Sequence, residues 1–324
     1  MAKERISIVF RALNEEKWFA DALEACQNQI LEDIDVEIVL VDSGSTDATL
    51  DIAKRFGCRI IHIKKADFTF GRSLNYGCEA ATGEYLVFIS AHCIPAHENW
   101  LANLVRPLQE KTTDYVYGRQ IGHDVSRFSE HQIFGQYYPE YDKTPQSDFF
   151  VNNANSAIRK SLWKAHKFDE TVTGLEDMVL GKQIQTNGGK IAYIADAPVI
   201  HIHEENFSQT KRRYYREALT LRQIIPDIHF GFGDFLRYFS ASLMHDSSTA
   251  LKSGKFLRKI PEIFMFRLMQ YWGTYRGHNE HRALSREQKE KYYYPKVSKP
   301  PRNKHDVVLT QPQLQTHPKQ TSDK

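Results

Sequence analysis

Four short stretches of this 324-residue chain hold the side chains best suited to chemistry. The first is Ser90-Ala91-His92, which follows the apolar run Tyr85-Leu86-Val87-Phe88-Ile89 and is closed by Pro95. Ligands of open α/β sheets bind just beyond the carboxyl ends of the strands, so this tip is a candidate site. The second is Asp42, followed by Ser43-Gly44-Ser45, at the end of Val36–Val41. An acid on such a loop suits a ribose hydroxyl or a nucleobase edge, and it equally suits capping of the next helix. The third is Glu176-Asp177, which opens a helix after Thr173-Gly174-Leu175. Two acids there can pair with the helix dipole, or one can act as general base toward an incoming hydroxyl. The fourth is His201-Ile202-His203, whose two imidazoles share one face of an extended segment. With His92 they would form a three-nitrogen metal set; satisfied structural histidines are the alternative. Gly71 to Gly77 adds Arg72 and Asn75 at a helix start, a ready anion site unless Arg72 is a solvated surface charge.

These residues need elements to hold them. Strands are expected at 6–10, 36–41, 59–63 and 85–89, with helices at 15–29, 48–56 and 70–81 between them. Asn14 is the expected N-cap of the first helix. Such alternation argues for a parallel, Rossmann-like sheet flanked by helices. Farther on, helices are expected at 100–108, 159–163, 176–187 and 209–225, and strands at 115–120, 152–158 and 191–194. Residues 122–148 show no clear period. Residues 230–275 read as mostly helical with interleaved aromatic and basic side chains, and a polar, disordered tail is expected from 284. The expected units are 1–220, a helical extension 221–283, and the tail 284–324.

Composition narrows the classes. Hydrophobic content of 41% and charged content of 26% are those of a globular protein. The net charge of +3 is unevenly spread: residues 1–204 carry about −8 and residues 205–324 about +11. The basic part suits an anionic partner such as phosphates or a membrane surface, while the acidic part disfavours nucleic acid. Cys26, Cys58, Cys78 and Cys93 form no CxxC pair and read as reduced thiols of a cytoplasmic protein. The N-terminus lacks a signal-peptide hydrophobic region, and no run approaches the length of a membrane span.

Taken in order, ISIVFRALNEE, EIVLVDSGSTDATLDIA, GRSLNYGCEAATGEYLVFISAHCIP, GLEDMVLGKQI and VIHIHEENF resemble the segments of family 2 inverting glycosyltransferases of the GT-A fold. The resemblance covers roughly residues 4–220 and looks most similar to bacterial rhamnosyltransferase-like members around Val116–Gln120. It implies a nucleotide-diphosphate sugar donor, a hydroxyl of a glycan or lipid-linked glycan as acceptor, and one in-line displacement with inversion. It implies donor contacts from Ala12, Asn14, Glu15, Asp42, Ser43, Arg72, Asn75, Ser90 and Ala91, and catalysis by Asp177 with Glu176 as neighbour or substitute. The family's Asp-x-Asp, which binds Mg²⁺ or Mn²⁺, is replaced here by Ser90-Ala91-His92. The loss of that carboxylate pair removes the charge that a hard cation needs. His92 with His201 or His203 would favour Mn²⁺ over Mg²⁺; otherwise Arg72 and the Lys211-Arg212-Arg213 cluster would stabilise the leaving diphosphate. A non-catalytic nucleotide-sugar or glycan binding subunit is the alternative function. The C-terminal helices have three open roles: acceptor binding, self-association, or peripheral attachment at the inner face of the plasma membrane.

Overall fold

The computed structural model describes residues 4–280. Its first half alternates β1 (Glu4–Ala12), α1 (Glu16–Gln27), β2 (Ile34–Asp42), α2 (Thr49–Arg55), β3 (Arg59–His62), α3 (Phe70–Ala80) and β4 (Tyr85–Ser90). Then come β5 (Cys93–Pro95), α4 (Trp100–Gln109), β6 (Tyr115–Gly122), α5 (Phe128–Tyr137), β7 (Asn155–Arg159), α6 (Lys160–His166), α7 (Glu176–Thr186) and β8 (Ile191–His201). Three long helices follow: α8 (Phe207–Ile224), α9 (Phe232–Lys252) and α10 (Phe256–His278).

All eight strands form one sheet in the order β3-β2-β1-β4-β7-β6-β8-β5. Strands β1 to β4 pair in parallel, β7 runs antiparallel to both β4 and β6, and β6 pairs in parallel with β8. The sheet is thus mixed but mostly parallel, as the alternating apolar runs predict. Side-chain alternation divides its core into two layers. Ile6, Ile8 and Phe10 of β1, with Val87 and Ile89 of β4, pack against Phe19 and Leu23 of α1 and Trp100 and Leu104 of α4. Val9, Leu86 and Phe88 point the other way, toward Leu74 and Cys78 of α3, Trp163 of α6 and Leu180 of α7. Burying both faces explains why these strands read as continuous apolar runs.

Three expectations are corrected. Asn14 does not cap α1; Glu15 occupies the N-cap, and Asn14 sits at φ 58 with its side-chain oxygen accepting from the Thr46 amide. The strand expected at 191–194 runs on to His201, because Pro198 lies where β8 needs no donor toward β6 past a register shift between Gly118 and Gln120. The boundary expected after residue 220 falls inside α8, which continues to Ile224 and lies against α10. There Gly273 and Gly277 of α10 leave room only for the α8 backbone, since a Cβ on either would overlap the Lys211 or Tyr215 carbonyl. The tail expected from 284 lies outside the described residues.

Candidate active site

One cleft of about 1960 Å³ opens at the carboxyl ends of β1 and β4. Ala12, Asn14 and Glu15 line it, as do Ser43, Ser90, Ala91, His92, Glu176, Asp177, His201 and His203. The tips of three separate segments, near 42, 90 and 177, therefore converge.

The histidines meet because of the short strand β5. It pairs antiparallel with the end of β8, Cys93 opposite His201, and the Ile202 amide donates to the His92 carbonyl at 3.0 Å. That ladder sets His92 beside His201, with ring centroids 5.3 Å apart, and beside His203 at 6.2 Å. His201 and His203, two residues apart, have centroids 4.1 Å apart. One ring nitrogen from each of the three lies within 4.8 Å of the others.

Each Nδ1 has an acceptor of its own. His92 Nδ1 is 3.2 Å from both Glu15 carboxylate oxygens, His201 Nδ1 is 2.7 Å from Gln120 Oε1, and His203 Nδ1 is 2.6 Å from Glu130 Oε1. Acceptors placed this way fix the Nδ1–H tautomer and leave the Nε2 lone pairs for a ligand, the arrangement that metal-binding imidazoles use. Burial pushes His201 well below its ordinary pKa, helped by the neighbouring His203 and His92, so it is neutral and able to donate a lone pair. Burial also pushes His92 down, but the Glu15 carboxylate more than offsets this and leaves it raised. The donor set therefore fits a divalent ion that accepts imidazole nitrogen, and it fits poorly an ion that demands carboxylate oxygen.

Asp177 and Glu176 enter α7 through Leu175, whose φ of 55 places it in the left-handed region that non-glycine residues rarely adopt. Asp177 is 8% exposed; its carboxylate accepts from the Asn153 amide at 2.9 Å and from the Met178 amide at 2.8 Å. Burial, and then the Glu176 charge, raise its pKa to about 7. A carboxylate so poised can take a proton near neutral pH. Glu176 is committed otherwise, in a 2.9 Å ion pair with Arg11.

Several expected donor residues are occupied. Asp42, 1% exposed, turns its carboxylate back onto the Gly44 and Ser45 amides, so it caps its own loop and leaves the cleft wall to Ser43. Arg72 pairs with Glu170 at 2.7 Å and donates to the Asp67 carbonyl. Asn75 is buried and holds the Phe168 backbone, the Trp163 indole N–H and Glu170. Both are tied to the 168–170 segment, and neither lines the cleft. On α8 the helical turn brings Arg213 and Arg216 to the cleft in place of Lys211 and Arg212.

Sequence reasoning missed Glu130, Gln120, Asn153 and Arg216. Glu130 is 2% exposed; it bonds Arg213 as well as His203, and although burial acts the other way, His203 and Arg213 lower its pKa to about 2. Gln120 Nε2, Asn153 Nδ2 and Arg216 Nε are buried in the cleft wall without a hydrogen-bond partner among the described residues. Buried donors are normally satisfied, so these three are ready for acceptor oxygens of a ligand. An acid within the unassigned 122–148 stretch was the only signal for Glu130. No local pattern marks the other three.

Residues 7–166 match the family model described as glycosyl transferase family 2. The O-antigen chain rhamnosyltransferase WbaN of Salmonella anatum is 29% identical over 190 residues, covering 55% of this chain and 60% of that protein. The O-antigen chain rhamnosyltransferase RfbN of Salmonella typhimurium is 24% identical over 223 residues, covering 65% of this chain and 70% of that protein. The chain thus spans less than two thirds of WbaN. Among solved structures, the mannosyltransferase PcManGT from Pyrobaculum calidifontis, in complex with GDP-Man and Mn²⁺, superposes with a TM-score of 0.60 at 16% identity, covering 86% of this chain and 88% of that one. Residues 1–349 of S. aureus TarS give a TM-score of 0.51 at 16% identity, covering 86% and 93%. At these identities the structures show a shared fold.

Proposed function

We propose, from the match of residues 7–166 to the glycosyl transferase family 2 model, that the protein is an inverting glycosyltransferase of bacterial surface-glycan assembly. It moves a hexosyl or deoxyhexosyl group from a nucleotide-diphosphate donor, on the cytoplasmic side, to a hydroxyl of a glycan or lipid-linked glycan. The observation that carries this reading is that the buried Asp177 and the three histidines line one cleft at the strand tips.

In this mechanism Asp177 accepts the proton of the acceptor hydroxyl as that oxygen attacks the anomeric carbon. The bond to the diphosphate breaks on the opposite face, and the nucleoside diphosphate departs with the electron pair. Glu176, held in place by Arg11, sets a second negative charge beside Asp177 and so helps keep it basic. Arg213 and Arg216 supply positive charge to the cleft. The ring nitrogens of His92, His201 and His203 would hold a divalent ion, Mn²⁺ in preference to Mg²⁺. Bound there, it would neutralise the donor diphosphate. Glu15, Gln120 and Glu130 orient those rings.

The test is a thermal-shift screen of UDP-, GDP- and dTDP-linked sugars with Mn²⁺, with Mg²⁺ and with neither, followed by transfer assays. One donor should stabilise the protein, more with Mn²⁺ than with Mg²⁺. Asp177→Asn should keep that stabilisation and lose transfer. Donor binding without transfer to any acceptor by the unaltered protein would support the non-catalytic binding subunit instead.

A further inference from the structure

We propose that the turn joining α9 to α10 docks on an anionic lipid bilayer. Helix α9 ends with the Ser253 amide donating to the Thr249 carbonyl, and the chain reverses through Gly254, whose φ of 67 suits a residue without a side chain. Among the described residues little covers this tip. Leu251 is 67% exposed and Leu257 is 87% exposed, although they flank a turn where polar residues are expected. Lys252, Lys255 and Arg258 are exposed between and beside them, and no acidic residue occurs from Ser247 to Pro261. None of these three cations forms an ion pair among the described residues.

The apolar surface continues along α9. Phe232, Leu236, Met244 and Leu251 are each about half exposed or more, and at helical spacing they fall on one stripe. Apolar side chains ringed by uncompensated cations match an anionic membrane surface: leucines enter the interface while lysine and arginine meet the headgroups. An acidic protein partner would meet the charges, but it would leave unexplained two leucines at the extreme tip. Among the described residues no helix is long and apolar enough to cross a membrane, so attachment by this tip would be peripheral.

The position of the tip gives the docking a purpose. His245 of α9 lines the cleft, and the turn begins about eight residues beyond it, roughly 12 Å along the helix axis at the usual rise. A bilayer under the tip would bring a lipid-linked acceptor to the side of the cleft that α9 and α10 wall; this clause rests on the proposed function, whereas the docking itself does not.

The experiment is co-sedimentation of the full chain with vesicles of phosphatidylcholine alone, and of phosphatidylcholine mixed with phosphatidylglycerol, at low and high salt. The protein should bind only the anionic vesicles, and salt should weaken that binding. The triple variant K252Q/K255Q/R258Q should bind about a hundredfold more weakly, and Leu257→Ser should also lose affinity. Circular dichroism and donor-induced thermal shifts should be unchanged in both, because all four side chains are exposed. No binding to anionic vesicles, equal binding to neutral ones, or full binding by the triple variant would overturn the proposal. So would self-association that Leu257→Ser abolishes in a protein that ignores vesicles, since the tip would then be an interface between copies of the chain. Because vesicle binding needs no sugar transfer, failure here leaves the transferase reading standing, and the reverse also holds.

Discussion

Replacing Asp177 with Asn should destroy activity and, at alkaline pH, strengthen the fold. Burial and the Glu176 charge hold the Asp177 carboxyl at about 7 against an ordinary 3.8. In the folded state the proton is therefore held more tightly than in the unfolded chain. Below pH 4 both states are protonated and nothing is lost. As pH rises from 4 to 7 the unfolded chain ionises first, so stability falls, and it levels off above 7. The whole interval corresponds to about 4 kcal/mol, and the part between pH 5 and pH 8 to about 2 to 3 kcal/mol. Asparagine has no such dependence. It keeps one of the two backbone contacts, to the Asn153 or the Met178 amide, and loses the other at about 1 kcal/mol. That loss is the same at both pH values and drops out of their comparison. Urea denaturation of both proteins at pH 5 and pH 8, followed by tryptophan fluorescence, should show Asp177→Asn gaining about 2 to 3 kcal/mol relative to the parent on going to pH 8. Transfer should fall by about 10² to 10⁴, and in the parent it should rise with pH through about 7. A relative stability that is flat between the two pH values would refute the claim that an ionised, buried Asp177 is held against its solvation preference.

Glu130→Ala should cost about 3 kcal/mol, since it removes charged hydrogen bonds to His203 and to the buried Arg213, which keeps Glu205 as its remaining ion-pair partner; Tm by differential scanning calorimetry checks this. Because His203 and Arg213 hold Glu130 at about 2, its contribution is present above about pH 4.5 and should disappear as pH falls toward 2, which acid titration followed by circular dichroism would show. Asp246→Ala should be similarly costly, because Asp246, 0% exposed, meets Arg267 through two hydrogen bonds of 2.7 and 2.8 Å that tie α9 to α10; limited proteolysis should then cut first in that hairpin. Gly118→Ala should destabilise by about 1 to 3 kcal/mol, since a Cβ there would overlap the Ala197 carbonyl and the Asn155 side chain, and the loss would appear as a lower urea midpoint.

Much of the first half could be read from the sequence because both faces of its strands are buried, giving unbroken apolar runs with helices between them. The pairing of His201 with His203 followed from a period of two, and His92 was suspect because it ends a strand. What could not be read was the element that joins them. Strand β5 has three residues, one of them proline, and it pairs with a strand about a hundred positions later. Helix α5 hid for a related reason: only Ser129, Glu130 and Phe134 are buried, too few to print a helical stripe. The partners that hold Asp42, Arg72 and Asn75 were invisible locally. Asp42 is engaged by its own loop amides, and the other two by the 168–170 segment, some 95 positions away. Spacing shows which residues could face a ligand, but not which have already been claimed by distant backbone.

The three imidazoles come from opposite ends of the catalytic sequence and are joined by the edge pairing of β5 with β8. A chain still emerging from the ribosome, with β1 to β7 made and β8 unmade, has His92 and Asp177 but no triad. The proposed ion site thus cannot form until β8 and His203 have been made, long after His92.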